Sequence, residues 1–142
     1  MESKYCAKKE EVEEFLKILK SILNNKNFNI GKDLDILLKK KNEDPLDPYT
    51  TMNTLNELDY DKKDIKRELL NLSIEDYIET LIDLKDIDGP KLYVFIKYII
   101  GRAVYIKIKI RSIQNRKIFC ISFHFARYEN FEYPYKGVIK NG

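Results

Sequence analysis

Residues 90–125 read PKLYVFIKYIIGRAVYIKIKIRSIQNRKIFCISFHF, and apolar and polar side chains alternate through much of the stretch. A period of two marks a strand with one buried face. Three runs are legible, 91–99, 103–111 and 117–125. Gly101 punctuates the first gap and Gln114-Asn115 the second. Connections that short join antiparallel neighbours. The pattern therefore predicts an antiparallel meander over 90–126, followed by a tail over 127–142.

Successive strand residues point to opposite faces, so each run divides into two sets. In the middle run Val104, Ile106, Ile108 and Ile110 form an apolar set, against Tyr105, Lys107, Lys109 and Arg111. In the third run Phe119, Ile121, Phe123 and Phe125 oppose Cys120, Ser122 and His124. In the first, Leu92, Val94 and Ile96 oppose Lys91, Tyr93 and Lys97. If the apolar sets share the core, the polar sets share one outer face.

Upstream of Pro90 the apolar period is helical. Val12, Phe15, Leu16, Leu19, Ile22 and Leu23 make one stripe of a helix over 10–23, closed by Asn24-Asn25-Lys26-Asn27. A short edge strand is expected over 28–30, and a second helix over 33–41 that buries Leu34, Leu37 and Leu38. Pro45 and Pro48 make 42–48 a loop. Helical pieces are expected again over 51–83. One is capped by Asp61. Another is opened by Ser73 with Asp76 in a capping-box spacing and presents Ile74, Tyr77, Ile78 and Leu81. Gly89-Pro90 ends the helical half. The expected fold is thus a single α+β domain over 1–142, with N-terminal helices over 10–89 packed on the C-terminal antiparallel sheet.

Charge is divided along the same line. Residues 1–89 hold 15 Lys+Arg and 21 Asp+Glu, whereas residues 90–142 hold 11 and 2, so a net −6 half adjoins a net +9 half. Such asymmetry is expected where one region meets a polyanion. Lysines and arginine on the outer face neutralise phosphates, and tyrosines offer platforms for unpaired bases. An ordinary solvated sheet face is the plainer reading, but it mixes both signs of charge, and this one is nearly free of acids.

His124 is the one histidine in the chain. Beside lysines and a tyrosine it has the character of a proton-transferring group, because nearby positive charge disfavours imidazolium. The basic half offers only Glu129 and Glu132 as carboxylates, which points away from a metal-dependent nuclease. Cys6 and Cys120 stand far apart, without the spacing of a zinc site or a disulfide framework. No Gly-rich phosphate loop, HExxH or nucleophile elbow occurs, so neither metal nor cofactor is expected. The charged N-terminus does not read as a signal peptide, and no run reaches the roughly 20 apolar residues of a membrane span; a cytoplasmic protein is expected.

The order of Leu72-Ser73-Ile74-Glu75-Asp76-Tyr77, then Val104-Tyr105-Ile106-Lys107-Ile108, then Ile121-Ser122-Phe123-His124 resembles the MqsR family of toxins. The likeness is to divergent Gram-positive members and covers roughly residues 10–126. What it implies is a RelE-like endoribonuclease of a type II toxin–antitoxin system. Such an enzyme cleaves mRNA without a metal, either free or on the ribosome, and is neutralised by a cognate antitoxin. Tyr105 and His124 fall at the positions of the family's strand tyrosine and of its basic residue after Ser-Phe, where the family usually has lysine. The family's helix lysine falls at Glu79, an acid. Its first-strand glutamine has no counterpart, and Lys97 is the candidate substitute for one of the two.

The chemistry expected is attack by the ribose 2′-hydroxyl on the adjacent phosphorus. His124 serves as acid or base, Tyr105 positions the phosphate or stacks a base, and Lys97 and Lys107 stabilise charge. Lys91, Tyr93, Lys107, Lys109 and Arg111 are the expected RNA-binding set. Two other classes use the same features. A non-catalytic RNA- or DNA-binding module needs the basic face but not His124. An interaction protein would show no salt-dependent affinity for RNA.

Overall fold

The structure, a computed structural model, describes residues 2–137. Positions 138–142 of the expected tail lie outside the described residues. In chain order the elements are β1 (Glu2–Tyr5), α1 (Lys9–Leu23), α2 (Ile30–Asp33), β2 (Leu34–Ile36), α3 (Thr51–Leu58), α4 (Lys62–Leu70), β3 (Tyr77–Asp83), β4 (Leu92–Ile99), β5 (Arg102–Ser112) and β6 (Lys117–Phe125). The fold is α+β, as its alternation and helical periods imply.

The six strands form one sheet in the order β1-β3-β4-β5-β6-β2, antiparallel except for the β2–β6 pair. The three strands read from the alternation form the central meander. Ile99 pairs with Arg102, so the β4–β5 turn consists of Ile100 and Gly101, both at positive φ (49° and 75°). Two successive left-handed residues make the tight hairpin turn whose twist suits flanking strands.

Helix α1 buries the stripe that its spacing predicted, and Phe15 lies on Tyr93 with ring centroids 3.9 Å apart. That face of the sheet, with Phe95, Ile106, Ile108, Phe123 and Phe125, forms the main core with α1, α3 and α4. A smaller cluster of Leu81, Leu92 and Val94, flanked by Ile78, Tyr105 and Ile121, lies on the opposite face.

Three elements differ from expectation. In place of the helix anticipated over 33–41, Asp33 ends α2, Leu34–Ile36 form β2 and a loop follows. Leu34 is fully buried beside Ile118, and Lys117 reaches Asp33 at 2.6 Å, so pairing with β6 satisfies backbone and charge together. The strand anticipated over 28–30 is absent. Asn29 there caps the single turn of α2 by accepting from Lys32 N. The capping box at Ser73 is present, with Asp76 accepting from Ser73 N at 2.9 Å, but it opens only one 3-10 turn over Ile74–Asp76. The chain then extends as β3. Tyr77 and Thr80 turn into the helical side, Tyr77 Oη meets Thr80 Oγ1 at 2.7 Å, and Ile78 and Leu81 turn away. Tertiary pairing with β1 and β4 overrides the local helical spacing. The acidic half thus supplies three strands besides its helices.

The tail returns towards the β1–β3 side. Tyr135 stacks on Tyr77 at 5.8 Å and its hydroxyl donates to Ala7 O, while Gly137 N donates to Glu75 Oε1 at 2.7 Å. Among the described residues no helix is long and apolar enough to cross a membrane.

Candidate active site on the open sheet face

Strand β6 is held in place by hydroxyls. Beyond the end of β2, Phe123 N donates to Thr51 Oγ1 and Phe125 N to Thr54 Oγ1, at 3.3 and 2.9 Å. Helix α3, capped by Thr50, therefore takes over where a neighbouring strand would have continued. The loop before it is pinned as well. Asn53 Nδ2 donates to Pro45 O and Asp47 O, both at 2.8 Å, and Arg127 pairs with Asp47. Together these contacts border one patch of the face that carries no helices.

Cross-strand register decides which side chains meet there. Ile96, Tyr105 and His124 lie in one rung, and Val94, Lys107 and Ser122 in the next. The Tyr105 and His124 rings stack, with centroids 5.2 Å apart and an angle of 16° between planes. Both are half-buried. His124 Nδ1 lies 3.0 Å from Phe125 O. A carbonyl only accepts, so Nδ1 carries the proton and Nε2 the lone pair. Burial lowers the His124 pKa, and Lys40 and Lys107 lower it further against the raising effect of the Phe125 carbonyl. At neutral pH the ring is a proton acceptor.

Lys40 enters this site from the loop after β2. Its Nζ donates to Ser122 Oγ at 2.8 Å. Burial and the neighbouring Lys107 lower its pKa, so the ammonium is a better proton donor than an exposed lysine. Lys107 lies 3.7 Å from Glu2 of β1 and is otherwise nearly covered. Burial, aided by Glu79 and Glu2, pushes the Tyr105 hydroxyl up to about 12, which keeps it a hydrogen-bond donor. The result is an acceptor, two cations and a phenol on adjoining rungs.

Three expected site residues are elsewhere. Tyr93 and Lys97 pair with Ile108 and Val104, which puts them on the helical side. Tyr93 stacks on Phe15 and donates to Glu11 Oε2 at 2.7 Å, and Lys97 Nζ reaches Asn71 O at 3.3 Å. Lys91 joins Tyr93 near Glu11, at 3.8 Å, and lies over the Tyr5 ring. The first strand was sorted to the wrong face because β4 is apolar on both sides: Tyr93 and Phe95 face the helices, and Leu92, Val94 and Ile96 face away. Strand β6 contains the other inversion. Lys107 pairs with Ser122 but Ile108 with Cys120, so Ile121 is an extra residue. That bulge sends Cys120 into the core and leaves Phe119 and Ile121 on the open face, whereas Ser122 and His124 stay where the alternation put them.

Lys109 and Arg111 are on the open face as expected. Lys109 pairs with Phe119, and Arg111 lies over the Phe119 ring at 3.8 Å while donating to Asp35 Oδ2 at 2.9 Å. Lys40 was missed. It is one lysine in a Lys39-Lys40-Lys41 run, and no spacing rule links it to a strand some eighty positions later. Glu79 lies in β3 opposite Val94, so a carboxylate borders the site from the β3 side. Among the described residues no group of three or more His, Cys, Asp or Glu side chains is arranged to hold a metal ion. Comparison with protein-family models, with curated proteins and with solved structures finds no match to this chain.

Proposed function

We propose that this chain is an endoribonuclease that cleaves mRNA through the ribose 2′-hydroxyl, and that it is the toxin of a toxin–antitoxin pair. The observation that carries the reading is the His124 tautomer: Nδ1 is committed to Phe125 O, and Nε2 is a proton acceptor beside Lys40 and Lys107. In this scheme His124 Nε2 takes the 2′-hydroxyl proton. The 2′-oxygen attacks phosphorus, the bond to the 5′-oxygen breaks, and Lys40 donates a proton to that leaving oxygen. Lys107 and the Tyr105 hydroxyl hold the phosphate oxygens as charge builds. The products are a 2′,3′-cyclic phosphate and a 5′-hydroxyl. Every proton and charge in the scheme is supplied by side chains.

The motif order resembling the MqsR family adds a cognate antitoxin as protein partner and the cytoplasm as place of action, with mRNA met free or on the ribosome. The test is incubation of the pure protein with single-stranded RNA in EDTA, with mapping of product ends. Cyclic or 2′/3′-phosphate ends are expected. The half-burial of Tyr105 and His124 favours a second reading, a non-catalytic RNA-binding module. That module would bind RNA with salt dependence and leave it intact, on ribosomes as well as off them.

A further inference from the structure

The open face is electrically divided across its strands. Towards β2 stand Lys109, Arg111 and Lys40, with Asp35 paired to Arg111 and Asp61 in the same cleft. Towards β1 stand the carboxylates of Glu2, Glu79 and Glu132, with Lys107 paired to Glu2 and Lys4 beside Glu79 and Glu132. Cations lead on the first flank and carboxylates on the second, so a polyanionic strand running along β5 is held more strongly on the β2 flank.

On the attractive side, Arg111 and Phe119 line an open cleft of about 590 Å³, bounded at its far wall by Tyr60 and Lys62. This is within the size range of small-ligand pockets, about 300–1,000 Å³. The Arg111 guanidinium lies over the Phe119 ring and is fixed by Asp35, and Lys109 Nζ is 5.9 Å from the same ring centroid. A guanidinium that lies over an aromatic ring and donates to a carboxylate presents a preorganised plane. Unpaired bases stack on arginine planes as they do on aromatic rings. Asp35 and Lys109 place an acceptor and a donor near the edge of such a base.

We propose that this cleft is a base-binding subsite, and that the substrate strand is gripped on its side of the scissile phosphate alone. The inference rests on the ribonuclease reading and specifies its substrate: single-stranded RNA with an asymmetric footprint. Lys109 is four residues from Tyr105 along β5, about 13 Å at about 3.3 Å per residue. That distance matches about four stacked nucleotides at about 3.4 Å each, and fewer in a stretched strand.

The experiment measures binding of uncleavable 2′-O-methyl oligonucleotides, lengthened stepwise from a fixed centre in either the 5′ or the 3′ direction. With wild type, lengthening in one direction tightens binding by about tenfold once the cleft is reached, the worth of about one stacked base. Lengthening in the other direction leaves affinity unchanged. Arg111→Gln and Phe119→Leu each remove most of the advantage of the long oligonucleotide over the short one. Arg111→Gln alters only an exposed side chain, so it tests the subsite even if Phe119→Leu fails to fold. Equal gains in both directions overturn the subsite but leave a ribonuclease. So does an advantage that both variants retain, an outcome that would fit a protein partner in the cleft. No binding by wild type to any oligonucleotide overturns the subsite together with the reading that free mRNA is the substrate.

Discussion

Replacing His124 with asparagine separates proton transfer from architecture. Asparagine retains an N–H that can donate to Phe125 O, the bond that His124 Nδ1 makes at 3.0 Å. It has no counterpart to the Nε2 lone pair. An ordinary histidine, with a pKa of about 6.5, is about three-quarters neutral at pH 7. Burial beside Lys40 and Lys107 lowers the His124 pKa, so a still larger share of wild-type molecules holds the acceptor. A positioned proton-transfer group contributes about 10² to 10⁴ in rate, and each tenfold is about 1.4 kcal/mol of barrier. His124→Asn should therefore lose about 3–5 kcal/mol of transition-state stabilisation. The structural penalty is smaller: the lost stack against Tyr105 is worth about 0.5–1.5 kcal/mol. The assay is single-turnover cleavage of single-stranded RNA in EDTA, with chemical denaturation of both proteins run alongside. A folded variant cleaving within about threefold of wild type, well short of the loss expected, would refute His124 as the proton acceptor.

Other consequences follow from the same geometry. Cleavage by wild type should fall on acidification as His124 gains a proton, with the midpoint below the ordinary histidine value because burial lowers its pKa; a rate profile across pH checks this. The same depressed pKa makes the folded state lose stability as pH falls through it, which acid-side denaturation midpoints report. Lys40→Met should slow cleavage by about 10² while leaving substrate affinity much less changed, a split that single-turnover titrations resolve. The alkaline limb of the wild-type profile should lie below the ordinary lysine pKa, since burial and Lys107 ease deprotonation of Lys40. Ile100 is exposed at φ 49°, where a β-branched residue is strained, so Ile100→Asn should stabilise the fold by about 1 kcal/mol in urea titration.

The parts of the fold legible in the sequence were those whose local pattern and tertiary role agree. Helix α1 has one apolar stripe and one place to bury it. Strand β5 alternates cleanly because one face is buried against the helices and the other holds half-buried polar side chains. The strands hidden in the acidic half fail that condition. In 34–38 the leucines at 34, 37 and 38 have helical spacing, yet only Leu34 is fully buried and Leu38 is exposed. Here the partner strand β6, far along the chain, supplies the decisive energy. In 73–83 a true capping box sends a strong local signal for a helix, and one 3-10 turn is all it builds before β1 and β4 claim the chain.

The site was legible in part for a related reason. Tyr105, Lys107 and His124 are legible because β5 alternates and because Ser122-Phe123-His124 follows the bulge, where parity is regular again. Placing Lys97 and Tyr93 required knowing which side of a doubly apolar strand faces the helices, and alternation within β4 holds no such information. The sheet's second buried cluster, Leu81, Leu92 and Val94, is what makes both faces of β4 apolar. That cluster also does something for the chemistry. Tyr105 packs against it, so that flank of the ring is shielded from water and the phenol acts in a lower local dielectric. Burial is the largest influence on the shifts of Tyr105, His124 and Lys40 alike. The feature that obscured the face of β4 in the sequence is therefore also one that shields the ring on which His124 stacks.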